Sequence, residues 1–279
     1  MAKSILVTGA TGFVGRQILS ALSEKDVDII AVVRRGKEAE NDKLAPGSRI
    51  IASDDIFDES IDWWSRALEG VDTVIHAAWY AEPGACLRSE KNIDCLVGSI
   101  NFAKAAIAAG VRRFVGIGTC FEYDLTLGVL RADANLAPTS TYGDAKAALF
   151  HALSHWLPDS GVEFAWCRLF YLYGDGEHPR RLVPYIRDRL SQGQVAELTS
   201  GTQIRDFLDV RQAGKMLVEA ALGGQQGAIN ICSGVPVTVR QLAETVADDY
   251  GRRDLLSFGA RPDNFVDPPC VVGVCNLER

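Results

Sequence analysis

Tyr142 and Lys146 stand four residues apart in Tyr142-Gly143-Asp144-Ala145-Lys146, directly after Pro138-Thr139-Ser140-Thr141. On a helix, residues at this spacing share a face, so the ammonium lies beside the phenol. A cation there lowers the phenol pKa from its usual value of about 10 towards working pH. A phenol so tuned can give a proton to a carbonyl oxygen while hydride reaches the carbonyl carbon. The spacing is common by chance, and what raises it is Thr119, in Gly116-Ile117-Gly118-Thr119-Cys120-Phe121-Glu122-Tyr123. It ends an apolar strand pattern, at the sheet edge where open α/β folds bind ligands, and its hydroxyl could orient the same carbonyl.

Hydride chemistry needs a donor, and the start of the chain offers a place to hold one. The strand Ser4-Ile5-Leu6-Val7 runs into Thr8-Gly9-Ala10-Thr11-Gly12-Phe13-Val14-Gly15. An apolar strand, a glycine turn and a helix start leave unpaired helix N–H groups and the positive dipole end facing outward, a site for a dinucleotide pyrophosphate. Gly9 suits the tight turn, Gly12 the approach of phosphate, and Gly15 the packing of helix on strand, with Thr11, Phe13 and Val14 lining the turn. An ordinary glycine-rich turn is the alternative.

The second strand, Ile29-Ile30-Ala31-Val32-Val33, ends in Arg34-Arg35-Gly36 with no carboxylate for the adenosine ribose. Two guanidinium groups can hold a 2′-phosphate and stack on adenine, which favours NADP(H) over NAD. Simple solvation of both arginines is the other reading. Asp55-Ile56 follows the third strand, within reach of the adenine edge, and His76-Ala77-Ala78-Trp79 ends the fourth beside the cofactor path.

These groups need a sheet to align them. Short apolar runs at Ser4–Thr8, Asp28–Val33, Arg49–Ala52, Thr73–His76, Arg113–Gly118 and Glu163–Arg168 read as strands buried on both faces. Helical patterns at Gly12–Ser23, Ile61–Glu69, Glu90–Ala109 and Tyr142–Leu157 alternate with them. The expected fold is α/β, a doubly wound parallel sheet (Rossmann) with a smaller C-terminal substrate-binding part. Residues 1–168 form the cofactor-binding domain, with 203–234 packing back on it, and 169–202 and 235–279 the substrate part. Helices at Leu182–Leu190, Arg211–Leu222 and Val239–Asp249 and a strand at Ala228–Cys232 fall in the looser second half.

Composition bounds the rest. The 279 residues are 47% apolar and 23% charged, normal for a globular protein, and the net charge of −7 argues against nucleic acid or a membrane surface as partner. The first strand begins at the N-terminus, leaving no room for a signal peptide, and no apolar run reaches the roughly 18 residues of a membrane span. Seven cysteines without a CxxC pair read as reduced thiols, so the expected location is cytoplasmic. His151 and His155 lie four apart without further ligands and read as a helix surface or subunit interface; Trp63-Trp64 read as packing.

Taken together, Thr8–Gly15, His76–Ala78, Thr119 four residues before Tyr123, Tyr142 with Lys146, Arg168–Gly174, Arg205-Asp206-Phe207 and Arg261-Pro262 resemble the extended short-chain dehydrogenase/reductases. The resemblance spans essentially the whole chain and points to their nucleotide-sugar branch of epimerases, dehydratases and reductases. It implies catalysis by Thr119, Tyr142 and Lys146, and a diphosphate grip by Arg205 and Arg261, which suits arginine chemistry. Arg205 could instead pair with Asp206 or Asp209. The segment Arg180-Arg181-Leu182-Val183-Pro184 matches the part beside the nucleotide, and Trp79, Cys120, Phe121 and Tyr171 fall at sugar-facing positions. The resemblance further implies a homodimer through a four-helix bundle.

Departures from the family pattern narrow the reaction. Dehydratases carry an acidic pair after the threonine, where this chain has Cys120 and Phe121. Epimerase-reductases use a cysteine that aligns with Phe121; neighbouring Cys120 reads as a packed residue. Glu122 either faces the sugar or forms a salt bridge. The sequence therefore reads as an NADPH-dependent ketoreductase of a nucleotide-linked keto sugar, an NDP-4-keto-6-deoxyhexose, in deoxysugar or surface-polysaccharide biosynthesis. An NAD(P)-dependent sugar-nucleotide epimerase is the alternative, and a non-catalytic NADP sensor is the alternative from another class.

Overall fold

A computed structural model describes residues 3–36, 47–264 and 267–278. The first half runs β1 (Lys3–Thr8), α1 (Phe13–Leu22), β2 (Val27–Arg34), β3 (Arg49–Ser53), α2 (Ile61–Ala67), β4 (Thr73–His76), α3 (Lys91–Ala108) and β5 (Arg113–Thr119). A short β6 (Val129–Leu130) precedes α4 (Thr141–Asp159) and β7 (Glu163–Leu169). The second half holds β8 (Tyr171–Tyr173), α5 (Leu182–Ser191), β9 (Ala196–Leu198), β10 (Ile204–Asp209), α6 (Val210–Leu222) and β11 (Gly227–Ile231). It closes with β12 (Pro236–Thr238), α7 (Val239–Asp248), β13 (Leu256–Phe258) and β14 (Cys270–Gly273).

Seven strands form one parallel sheet in the order β11-β7-β5-β4-β1-β2-β3. The order reverses between β1 and β4, so the carboxyl ends of those strands open a crevice. Apolar clusters cover both faces. Ile5, Val7, Ile18, Leu19 and Leu217 pack on the α1 and α6 side. Leu6, Trp64, Phe102, Phe114 and Leu153 pack on the side of α2, α3 and α4. Burial on both faces explains why the strands read as unbroken apolar runs. Trp64 lies 4.0 Å from Phe102 and 4.8 Å from Trp63 by ring centres, a packing role for the tryptophan pair.

A second sheet, β12-β10-β14-β6 with β8 beside β10, stands past the carboxyl edge of the first. Its strands have two to six residues, too short for periodicity to reveal most of them. Asp206 ties this layer together. Its carboxylate accepts the N–H groups of Ser233 (2.7 Å), Gly234 (2.9 Å) and Gly273 (3.1 Å) and the Ser233 hydroxyl (2.7 Å). α5, α7 and β9 build a separate small core around Val183, Ile186, Leu242 and Val246.

Candidate active site

The glycine turn leaves β1 beside the end of β4. Gly9 has φ +67°, which favours glycine, and a Cβ on it would come within 2.7 Å of the Ala78 nitrogen. A Cβ on Gly15 would lie 2.0 Å from the Gly9 carbonyl oxygen, so the first turn of α1 packs directly on the loop. Gly12 is exposed at the helix start, and no side chain caps α1 among the described residues. Uncapped N–H groups beside an open glycine suit a diphosphate, so these residues fit a dinucleotide. Thr11, Phe13 and Val14 are partly buried around the same turn.

A relay of hydrogen bonds fixes β4 against the turn. The Thr8 hydroxyl lies 2.8 Å from His76 Nδ1, and His76 Nε2 lies 2.8 Å from Ser99 Oγ. Ser99 donates its own hydroxyl to the Cys95 carbonyl (2.6 Å), so it accepts from Nε2–H. Thr8 then donates to Nδ1 and accepts the Ala78 N–H at 3.3 Å. The imidazole is fully satisfied when neutral; burial first, and the charge of Lys146 second, push its pKa down to about 3.

The adenine end is more open. Arg34 and Arg35 are exposed at the end of β2, and Arg35 Nε donates to Asp54 at 2.8 Å. Asp55 accepts the Phe57 N–H at 3.0 Å, and Ile56 packs against the apolar face beneath.

At the reacting centre, β5 ends at Thr119 and α4 begins at Ser140, whose side chain accepts the Gly143 N–H. Thr119 Oγ1 accepts the Phe121 N–H (3.3 Å), and the same hydroxyl lies close enough to the Tyr142 phenol to favour its ionised form. Lys146 is 3% exposed; its Nζ donates to the Ile117 carbonyl at 2.6 Å. The phenol differs from the sequence expectation. Burial pushes it above its ordinary value, and the nearby Thr119 hydroxyl only partly offsets that rise. The ammonium is turned to Ile117, and burial pulls its own pKa down to about 7 against the pull of Glu122 and Cys95.

Aromatic rings lead from Tyr142 to the second sheet. Phe121 lies 6.5 Å from Tyr142 and 6.1 Å from Tyr171, ring centre to ring centre. Arg205, 5% exposed, sits 5.3 Å over the Tyr171 ring and donates to the Ile204 carbonyl at 2.8 Å. It does not pair with its acidic neighbours, because Asp206 holds backbone N–H groups and Asp209 pairs with Arg211 at 3.0 Å. Arg181 and Leu182 open α5, and the charge of Arg181 partly offsets the rise that burial gives the Cys86 thiol. Arg261 lies outside this set, stacked 4.6 Å over Tyr185 and donating to its hydroxyl at 2.9 Å.

Two open questions of the sequence close here. Glu122 is fully buried, ion-paired with Arg168 at 2.7 Å and bonded to the Thr119 N–H and the Trp166 indole, so it braces the threonine instead of facing a sugar. Cys120 is 1% exposed and burial pushes its thiol up to about 12, unsuited to an acid or base role. His151 and His155 are exposed, and no group of three metal-binding side chains occurs among the described residues.

Several residues at this site carry no motif. Asn92 and Ser99 are buried polar groups inside α3, and an ion pair from Arg180 to Glu82 links the segment before α5 to the one after β4. A buried asparagine near a helix start was the one sequence signal available for the first of them.

The pattern of the NAD dependent epimerase/dehydratase family matches residues 5–232. The chain belongs to that family, within the extended short-chain dehydrogenase/reductase fold. The chain is 23% identical over 274 residues to the dTDP-6-deoxy-L-talose 4-dehydrogenase (NAD(+)) of Aggregatibacter actinomycetemcomitans, covering 97% of this chain and 99% of that one. It is 30% identical over 188 residues to a UDP-glucose 4-epimerase of Vibrio cholerae, covering 63% and 54% respectively. The fold matches the UDP-glucose 4-epimerase of Thermotoga maritima, solved with UDP-glucose, at TM-score 0.84 and 21% identity over 98% of this chain and 90% of that one. No helix among the described residues is long and apolar enough to cross a membrane.

Proposed function

We propose that this chain is an NADPH-dependent ketoreductase acting on a nucleotide-linked 4-keto-6-deoxyhexose. One observation carries the reading: the end of β5 and the start of α4 bring Thr119, Tyr142 and the buried Lys146 together at the carboxyl edge of the sheet. A phenol at that edge can give its proton to a ketone oxygen as the carbon is reduced. When bound at the glycine turn, the nicotinamide would supply hydride. Tyr142 would give its proton to the ketone oxygen, Thr119 would orient that oxygen, and Lys146 would hold positive charge behind it. Glu122 keeps Thr119 in place through its backbone N–H.

NADPH over NADH rests on Arg34 and Arg35. The substrate diphosphate would meet Arg205 and Arg261, with Trp79, Phe121, Tyr171, Arg181 and Leu182 around the sugar and nucleotide, while the buried Cys120 stays in the core behind them. In this reading residues 1–168 bind the cofactor, with 203–234 packed against them, and 169–202 and 235–279 bind the substrate. α3 and α4 pack side by side with Ile93 and Val97 exposed, a face suited to a four-helix dimer. Use of a soluble sugar nucleotide and a reduced dinucleotide would suit a cytoplasmic enzyme.

The decisive experiment mixes the protein with NADPH and a dTDP-4-keto-6-deoxyhexose. Oxidation of one NADPH per product supports the reductase. Product formed without NADPH consumption would assign the chain to the epimerases, a reading supported by its likeness to the Vibrio cholerae enzyme.

A further inference from the structure

Lys146 is a buried cation whose neighbouring carboxylate is already spent. Glu122 acts on it electrostatically but gives its oxygens to Arg168, Trp166 and the Thr119 N–H. His76 and the Cys95 thiol also face it, and both are held neutral, the thiol with its pKa raised by burial to about 11. A buried ammonium in such a place needs another source of negative potential. Beside the Ile117 carbonyl that accepts from Nζ at 2.6 Å, the Trp79 indole supplies it, with Nζ 3.8 Å from the ring centre, while the Trp166 ring lies farther away at 5.8 Å. The face of an indole is the strongest aromatic partner for a cation, more so when water is excluded.

Trp79 is itself clamped. Its Nε1–H donates to Asn92 Oδ1 at 2.9 Å, and Asn92 Nδ2 donates to the carbonyls of Cys86 (2.6 Å) and Ser89 (2.8 Å). Asn92 is fully buried, and the indole can only donate, so the amide has one orientation. These bonds join the end of β4, the turn at Cys86–Arg88 and the start of α3 to the underside of the lysine.

We infer that Asn92 and Trp79 form a positioning unit: the amide locks the indole, and the indole face holds Lys146 in place as an ammonium. This deepens the reductase reading by naming what keeps the cation behind Tyr142, although the unit itself requires no substrate. Trp79 and Asn92 are positioning residues, acting through Lys146.

The test uses the full chain without cofactor. Trp166 lies near enough to Lys146 for its indole N–H resonance to report the lysine titration, assigned by single Trp→Phe substitutions. In the unsubstituted protein that resonance titrates, and Lys146→Met abolishes the step. Trp79→Leu lowers the midpoint by about one pH unit, a tenfold loss of proton affinity. Trp79→Phe lowers it by about half as much, and Asn92→Leu lowers it as well, since the indole loses its anchor. The pH profile of kcat for NADPH oxidation moves the same way. An unchanged or raised midpoint in Trp79→Leu overturns the inference, and Trp79→Phe decides by the same criterion if the leucine variant does not fold. A Trp166 resonance lacking a step that depends on Lys146 also overturns it. Failure to reduce a keto sugar would sink the reductase reading and leave this titration standing.

Discussion

The two ends of the crevice are built in opposite ways. Around Gly9–Gly15 the surface is backbone, where a Cβ on Gly9 or Gly15 would strike main-chain atoms and the helix starts without a side-chain cap. Around the second sheet and the neighbouring α5 it is side chain, with Arg205 lying over Tyr171 of β8 and Arg261 over Tyr185 of α5. A backbone cradle recognises what every dinucleotide shares and tolerates almost no change. A surface of arginines on aromatic rings can be altered one side chain at a time. The difference explains why the glycine turn points to a cofactor class, while the far side points no further than to a phosphorylated substrate.

The largest effect is expected where the two ends meet. Tyr142→Phe should lower kcat by about a thousandfold with NADPH affinity nearly unchanged, measured by steady-state kinetics and equilibrium binding. A comparable loss of cofactor binding would mean that the phenol serves the cradle more than the reaction.

Next comes a contrast within one strand. Asp206→Ala should cost about 3 kcal/mol of stability in denaturant unfolding, because three backbone N–H groups lose their acceptor. Arg205→Gln should leave Tm nearly unchanged and raise KM for the sugar nucleotide about tenfold. If both variants unfold alike, the far side is as rigid as the cradle and the comparison fails.

Gly15→Ala should then cost about 1–3 kcal/mol, since the new methyl would overlap the Gly9 carbonyl, and it should weaken cofactor binding together with stability. Thermal unfolding with and without NADPH separates the two losses.

The smallest effect is a pH dependence. His76 has its folded pKa lowered to about 3 from 6.5, so between those values the unfolded chain binds more protons. Its contribution to stability is therefore complete above about pH 6.5 and is lost as pH falls towards 3. Between pH 7.5 and 5.5 the loss should be about 1 kcal/mol, and His76→Asn should flatten that slope in urea titrations.

The cradle was legible because its chemistry is local. Strand, turn and helix fall within Lys3–Leu22, and each glycine has its role at a fixed offset. Thr119, Tyr142 and Lys146 were legible as residue types, because a strand end and a helix face bring them to one edge. Their electrostatics were not, since the rise in the phenol and the turning of Lys146 to Ile117 depend on burial supplied by several elements. The Asn92 anchor and the Arg180–Glu82 pair join residues 13 and 98 positions apart, beyond any spacing rule. Most of the second sheet escaped because a strand such as Val129–Leu130 is too short to alternate.

Neighbours in a strand point to opposite faces, and this gives Arg205 and Asp206 separate fates. Asp206 turns inward to gather the ends of other strands, while its neighbour rests on a ring. In the proposed reading, one position answers to the stability of the fold and the next to the sugar nucleotide. A lineage could therefore exchange the second for another recognition chemistry without renegotiating the first, which makes this edge the natural place for the scaffold to acquire new substrates.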